Sequence, residues 1–219
     1  MIEIKNIHKG FNDRTVIEDV SASLETGKCN LIIGASGSGK TVLMKCLVGL
    51  FEPDSGEVLY DGESITNMND DDRKQLRQQI GMLFQGSALF DSMTVEQNVM
   101  FPLDILTQMS KEEKQERANI VLKRVGLENT NKKMPSEISG GMKKRVGIAR
   151  AIVNEDVKYL FCDEPNSGLD PQTSLVIDKL IKEITIEFNM TTVVNTHDMN
   201  SVMEIGDHIL FIHQGKKWW

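Results

Sequence analysis

Short apolar runs recur along this chain, and most are followed by a stretch with helical spacing. Residues 29–33 (CNLII) lead through a glycine-rich turn into TVLMKCLVGL. Residues 157–162 (VKYLFC) precede a helix predicted from Pro171 to about Phe188, and residues 191–196 (TTVVNT) precede another near 198–205. A last strand is predicted over 208–213 (HILFIH). The runs are continuous, which indicates a sheet covered on both faces, and the strand–helix succession indicates parallel order. Two stretches break this rhythm. Residues 2–8, 16–24 and 57–65 have the pattern of antiparallel strands, with a turn at Pro53-Asp54-Ser55-Gly56. Residues 94–153 carry almost no strand signal, and Ser110 with Glu113 forms a capping box before a charged amphipathic helix. The expected fold is therefore α/β: a mostly parallel sheet flanked by helices, with an N-terminal antiparallel β subdomain and a helical subdomain inserted at about 94–153. Residues 1–219 form one domain in this reading.

Composition narrows the classes. A chain of 219 residues that is 40% hydrophobic can bury a real core. Its net charge of -7 argues against a nucleic-acid binder, which usually shows a basic face. Cys29, Cys46 and Cys162 are widely spaced among apolar residues and form no C-x-x-C pair, so buried free thiols and a reducing compartment, the cytosol, are expected. No stretch approaches the roughly 20 apolar residues of a membrane span, and the N-terminus lacks the apolar run of a signal peptide.

The chemistry concentrates in a few segments. Gly34-Ala35-Ser36-Gly37-Ser38-Gly39-Lys40-Thr41 matches G-x-x-x-x-G-K-[ST], and Val42 continues it into the helix. The motif stands where its mechanism requires, between a buried strand and a helix. Its amides can turn inward around phosphates, backed by the helix N-terminus. Lys40 then reaches the β- and γ-phosphates, and the Thr41 hydroxyl ligates Mg²⁺. Asp163-Glu164 follows directly on a buried strand, where adjacent carboxylates are costly unless they serve something. Asp163 suits Mg²⁺, and Glu164 suits the general base that polarises an attacking water. Ser139-Gly140-Gly141 opens a helix carrying Lys143, Lys144, Arg145 and Arg150, and this has the look of a second anion site.

The order Lys40, Gln85, Ser139-Gly140-Gly141, Asp163-Glu164, Ser167-Gly168-Leu169-Asp170, His197 resembles the ABC transporter ATPases over almost the whole chain. The resemblance implies a P-loop NTPase core with ATP and Mg²⁺ as cofactors. It also implies roles: Gln85 as the Q-loop glutamine that senses the γ-phosphate and reaches the metal, His197 as the switch histidine, and Phe11 as the aromatic residue on adenine. It further implies a head-to-tail homodimer in which Lys40 of one copy and Ser139 of the other grip the same triphosphate. Met142, Asn166 and Asn195 depart from the usual residues of the family's motifs.

The segment Gly86-Ser87-Ala88-Leu89-Phe90-Asp91-Ser92-Met93-Thr94-Val95 and the signature methionine, Met142, are similar to the ATPases of MCE-type lipid transporters, the Mla phospholipid system among them. That likeness implies a multispanning permease docking near Gln85–Val95, an MCE-domain protein across the membrane, and a place on the cytoplasmic face of the inner membrane. The alternatives are a nutrient-importer or cell-division ABC ATPase, or a soluble ABC ATPase outside transport. A P-loop kinase or GTPase is disfavoured, because no N-K-x-D segment is apparent. The chain stops soon after its last predicted strand, at Trp218-Trp219; two free terminal tryptophans are unusual, so the expectation is either a truncation or disorder beyond this point.

Overall fold

A computed structural model describes residues 1–12 and 14–219. Two sheets divide the strands. The first is antiparallel, in the order β2-β1-β4-β5, from β1 (Ile2–Phe11), β2 (Arg14–Leu24), β4 (Ser55–Tyr60) and β5 (Glu63–Ser64). The second has the order β10-β9-β3-β8-β7-β6, from β3 (Cys29–Ile33), β6 (Ile80–Leu83), β7 (Tyr159–Asp163), β8 (Thr191–Thr196), β9 (His208–His213) and β10 (Lys216–Lys217). Every pairing in it is parallel except the edge hairpin β9–β10. β7 and β8 are buried along their whole length, which is why neither shows the polar–apolar alternation of a half-exposed strand.

The helices are α1 (Lys40–Leu47), α2 (Asp70–Gln78), α3 (Val95–Leu106), α4 (Lys111–Arg124), α5 (Gly140–Ala151), α6 (Pro171–Glu187) and α7 (Met199–Ile205). Between β6 and β7 the chain is helical only: α3, α4 and α5 pack on one another and share one core through Val99, Leu103, Val121 and Val146. α3 and α4 begin with capping boxes, at Thr94–Gln97 and Ser110–Glu113. A second core lies between the antiparallel sheet and the parallel one, where Ile4, Ile17, Leu43, Val58 and Phe161 meet. This is the α/β architecture with an inserted helical subdomain that the hydrophobic pattern predicts.

Three local findings differ from or sharpen that pattern. α2 was not foreseen: it is polar and buries only Leu76, so its signal is the Asn69 cap and the three aspartates of its first turn. All three cysteines are buried free thiols, and burial pushes the Cys46 thiol up to about 11. Trp218 and Trp219 are exposed, while their backbone pairs with Phe211 of β9. Among the described residues no helix is long and apolar enough to cross a membrane.

Candidate functional site

Four neighbouring parallel strands, β3, β8, β7 and β6, end on one side of the sheet, and each delivers part of the site. β3 runs into Gly34–Gly39 and α1. Gly34, Gly37 and Gly39 have φ of +151°, +77° and +107°. A side chain at Gly34 would bring Cβ within 2.2 Å of the Ile212 carbonyl oxygen, so the loop can be built only with glycine there. The other six α-helices each start at a side chain that caps their amides, but α1 starts at Gly39 with no side-chain cap. Its N-terminal amides and dipole are left for something else to satisfy. The Lys40 ammonium, nearly buried, donates to the carbonyl oxygens of Gly34 (2.8 Å) and Ala35 (3.1 Å) and so curls over the loop.

β7 delivers Asp163 and Glu164. Burial pushes the Asp163 carboxyl above the usual carboxylate range, and the neighbouring Glu164 charge adds to this, while a hydrogen bond from Asn195 opposes it. Glu164 is held at φ +48°, a conformation rare for a residue with a side chain. Its two carboxylate oxygens each lie 2.9 Å from Nδ1 of His197, which follows β8. Gln85, after β6, donates to the Ser167 hydroxyl at 3.4 Å. Phe11, Lys40, Thr41, Val42, Gln85, Glu164 and His197 surround one cavity of about 620 Å³, together with Arg14 and Val16. Phe11 stands at its rim, 41% exposed, edge-on to Phe51 with ring centroids 5.4 Å apart.

Ser139, Gly140 and Gly141 do not line that cavity. Ser139 and Gly140 are exposed, and the Ser139 hydroxyl caps α5 by accepting from the Met142 amide at 3.3 Å. Three of the four basic residues of α5, Lys144, Arg145 and Arg150, need a correction, because they do not form the anion-binding face expected of them. Lys144 and Arg150 are buried and point inward. The Lys144 ammonium donates to the carbonyl oxygens of Gln85 and Glu164, the latter at 3.3 Å. Arg150 donates to those of Ser87 (2.6 Å) and Ala88 (2.7 Å), and Arg145 to those of Val125 and Gly126. These cations bind backbone, so α5 is tied to the segment after Gln85 and to the turn that holds Glu164. Met142 is half-buried against the helical core.

Sequence reasoning misplaced two further residues. Lys144 was read only as part of a basic helix at an anion site. Asn195 was noted only as a departure, yet its side chain touches both Asp163 and Thr41. The segment after Gln85 also divides. Leu89 packs on the core, whereas Phe90 is exposed and stacks on Phe101 with centroids 4.7 Å apart. Phe84, Phe90, Phe101, Pro102 and Arg150 line a separate groove of about 390 Å³. Asn98, fully buried, fixes this segment by donating to the carbonyl oxygens of Phe90, Met93 and Thr94 and accepting from the Phe90 amide.

The site has counterparts in known proteins. The family model described as ABC transporter matches residues 17–167. The methionine import ATP-binding protein MetN of Desulfitobacterium hafniense is 42% identical over 220 residues, covering 99% of this chain. The chain spans 64% of that relative's length. The probable ribonucleotide transport ATP-binding protein mkl of Mycobacterium leprae is 38% identical over 95% of this chain, which spans 60% of it. Among solved structures, the dimer of the bacterial ABC transporter cassette MJ0796 superposes with a TM-score of 0.90 at 32% identity, covering 100% of this chain and 97% of that one. The same cassette in a post-hydrolysis state bound to ADP and Pi superposes with a TM-score of 0.89.

Proposed function

We propose, from the premise that this chain belongs to the ABC transporter family, that it binds ATP on the Gly34–Thr41 loop and hydrolyses it to drive a separate membrane permease. One observation carries the reading: four successive strand ends bring Lys40, Thr41, His197, Glu164 and Gln85 around a single cavity above an uncapped helix. Ligands of open parallel sheets bind at such strand ends.

Each residue then has a task. The loop amides and Lys40 take the phosphates, the ammonium exchanging its Gly34 and Ala35 carbonyls for phosphate oxygens. Phe11 at the rim offers a face to the adenine. Thr41 and Asp163 present a hydroxyl and a carboxylate side by side, linked through Asn195, which is the hard-oxygen set that suits Mg²⁺, with Gln85 within the same cavity. Mg²⁺ bound there neutralises phosphate charge. Glu164 accepts a proton from the attacking water, and the His197 ring 2.9 Å away holds that carboxylate in place.

The Ser139-Gly140-Gly141 turn, with Ser139 and Gly140 exposed, lies outside its own chain's nucleotide cavity, which supports completion of the site by a second, head-to-tail copy. The dimeric state of MJ0796 supports the pairing of two copies. The apolar groove beside Phe84 and Phe90 is where we place the permease segment, and this contact puts the chain at the membrane's cytoplasmic face.

For the cargo, the relatives change the balance. MetN is named for methionine import, which supports a nutrient importer, carried as the alternative above, over the lipid transporter expected from the sequence. The lipid reading with an MCE-domain partner retains one specific support, the likeness of Met142 and of the 86–95 segment to MCE-type ATPases. Affinity purification of this chain from its own membranes separates the two. A permease with solute-import activity supports the first, and a permease co-purifying with an MCE-domain protein overturns it. For hydrolysis itself, Mg²⁺-dependent phosphate release by the purified chain is expected. Nucleotide binding without any release, in the presence of the permease, would refute it.

A further inference from the structure

Asn195 is the fifth residue of β8 and sits in register with Ile32 of β3 on one side and Asp163 of β7 on the other. Its side chain has no solvent exposure. Both donor positions of its amide nitrogen are spent on the two oxygen groups assigned to the cation: Nδ2 donates to Oδ1 of Asp163 at 2.5 Å and to Oγ1 of Thr41 at 3.3 Å. Its backbone carbonyl accepts from the Glu164 amide at 2.8 Å, so one residue touches the loop, the metal carboxylate and the proposed base. Its Oδ1 is buried with no hydrogen-bond partner. A buried carboxamide with an orphaned carbonyl is a poor way to fill a strand position, where an aliphatic residue leaves nothing unpaired. Packing therefore does not account for Asn195.

We propose that Asn195 is the positioning residue of the divalent-cation site: its amide nitrogen aims the Asp163 carboxylate and the Thr41 hydroxyl at the cation. Groups that orient metal ligands in this way set metal affinity, and their loss typically costs about 10–100-fold. The inference rests on the Mg²⁺–nucleotide reading of the site. It assigns Asn195 to the cation and not to the phosphates, so nucleotide affinity without metal should not depend on it.

The test measures the affinity of the full chain for a non-hydrolysable ATP analogue by calorimetry, once with Mg²⁺ and once with EDTA. The ratio of the two affinities isolates the cation. In Asn195→Val this ratio is expected to fall about tenfold or more, while the EDTA value stays within about twofold. Asn195→Thr, which keeps one donor in place of two, is expected to fall between the two, and it carries the test if the valine variant does not fold. Direct Mn²⁺ binding by electron paramagnetic resonance should follow the same order. A ratio unchanged from the wild type in a folded variant overturns the role of Asn195 alone. A wild type that binds the analogue equally with and without Mg²⁺, or not at all, overturns the reading beneath it as well.

Discussion

Replacing Glu164 by Gln removes a charge and changes almost nothing else. The backbone of Glu164 is fixed from three sides: its amide donates to Asn195, and its carbonyl accepts from Lys144 and from the Ser167 amide. These bonds hold the left-handed turn whichever side chain it carries. A glutamine amide also fills the same space beside His197, 2.9 Å from the ring nitrogen. The loop, Lys40 and Thr41 are untouched, so ATP affinity should stay within about threefold of the wild type. What is lost is proton acceptance, and a positioned general base contributes about 10²–10⁴ in rate. At about 1.36 kcal/mol per decade, this raises the barrier by about 2.7–5.4 kcal/mol. The assay pairs steady-state phosphate release with nucleotide binding on the same preparation, and size-exclusion chromatography with ATP should show the variant held as a dimer. A Glu164→Gln enzyme with kcat within threefold of the wild type would refute the assignment of the base. An equal loss of binding and turnover would instead make Glu164 a binding group.

Two other perturbations probe different parts of the account. Lys144→Met leaves the buried Gln85 carbonyl without its partner and the Glu164 carbonyl with the Ser167 amide alone. At about 1–3 kcal/mol per orphaned acceptor, calorimetric melting should fall by several degrees, and kcat should drop with nucleotide affinity retained; an unchanged kcat would confine Lys144 to packing. For Asp207, burial raises the carboxyl, but the Lys182 ammonium and the Cys29 amide outweigh this and hold it below its usual value. A depressed carboxylate contributes stability above its unfolded value of about 3.9 and loses it as pH falls through the folded value. Asp207→Asn should therefore melt lower than the wild type at pH 7, with the gap closing toward pH 3, and a gap that is constant with pH would show that the ion pair is not its source.

β3 and β8 were legible because they are buried along almost their whole length. Residues 29–33, 191–196 and 208–213 were delimited correctly from runs rich in apolar and β-branched residues. α2 was not, because nine mostly charged residues with one buried leucine carry no apolar stripe. Within the site, Lys40, Thr41 and Glu164 were visible as motif letters, Phe11, Gln85 and His197 only through the family resemblance, and Arg14 and Val16 not at all. The directions of Lys144 and Arg150 were not visible. A basic helix looks solvated in sequence, and only the turn of α5 against the segment after Gln85 shows that both cations grip backbone carbonyls. Asn195 was equally opaque: a polar letter in a buried strand does not say which neighbour it meets across the sheet.

The central claim is that the Gly34–Thr41 loop and Lys40 form a phosphate cradle. Titration calorimetry of the purified chain with ATP and Mg²⁺ tests it most directly. The account predicts one nucleotide bound per chain, with Lys40→Ala losing most of the affinity while remaining folded. Absence of heat from the wild type, or an undiminished affinity in folded Lys40→Ala, would contradict it.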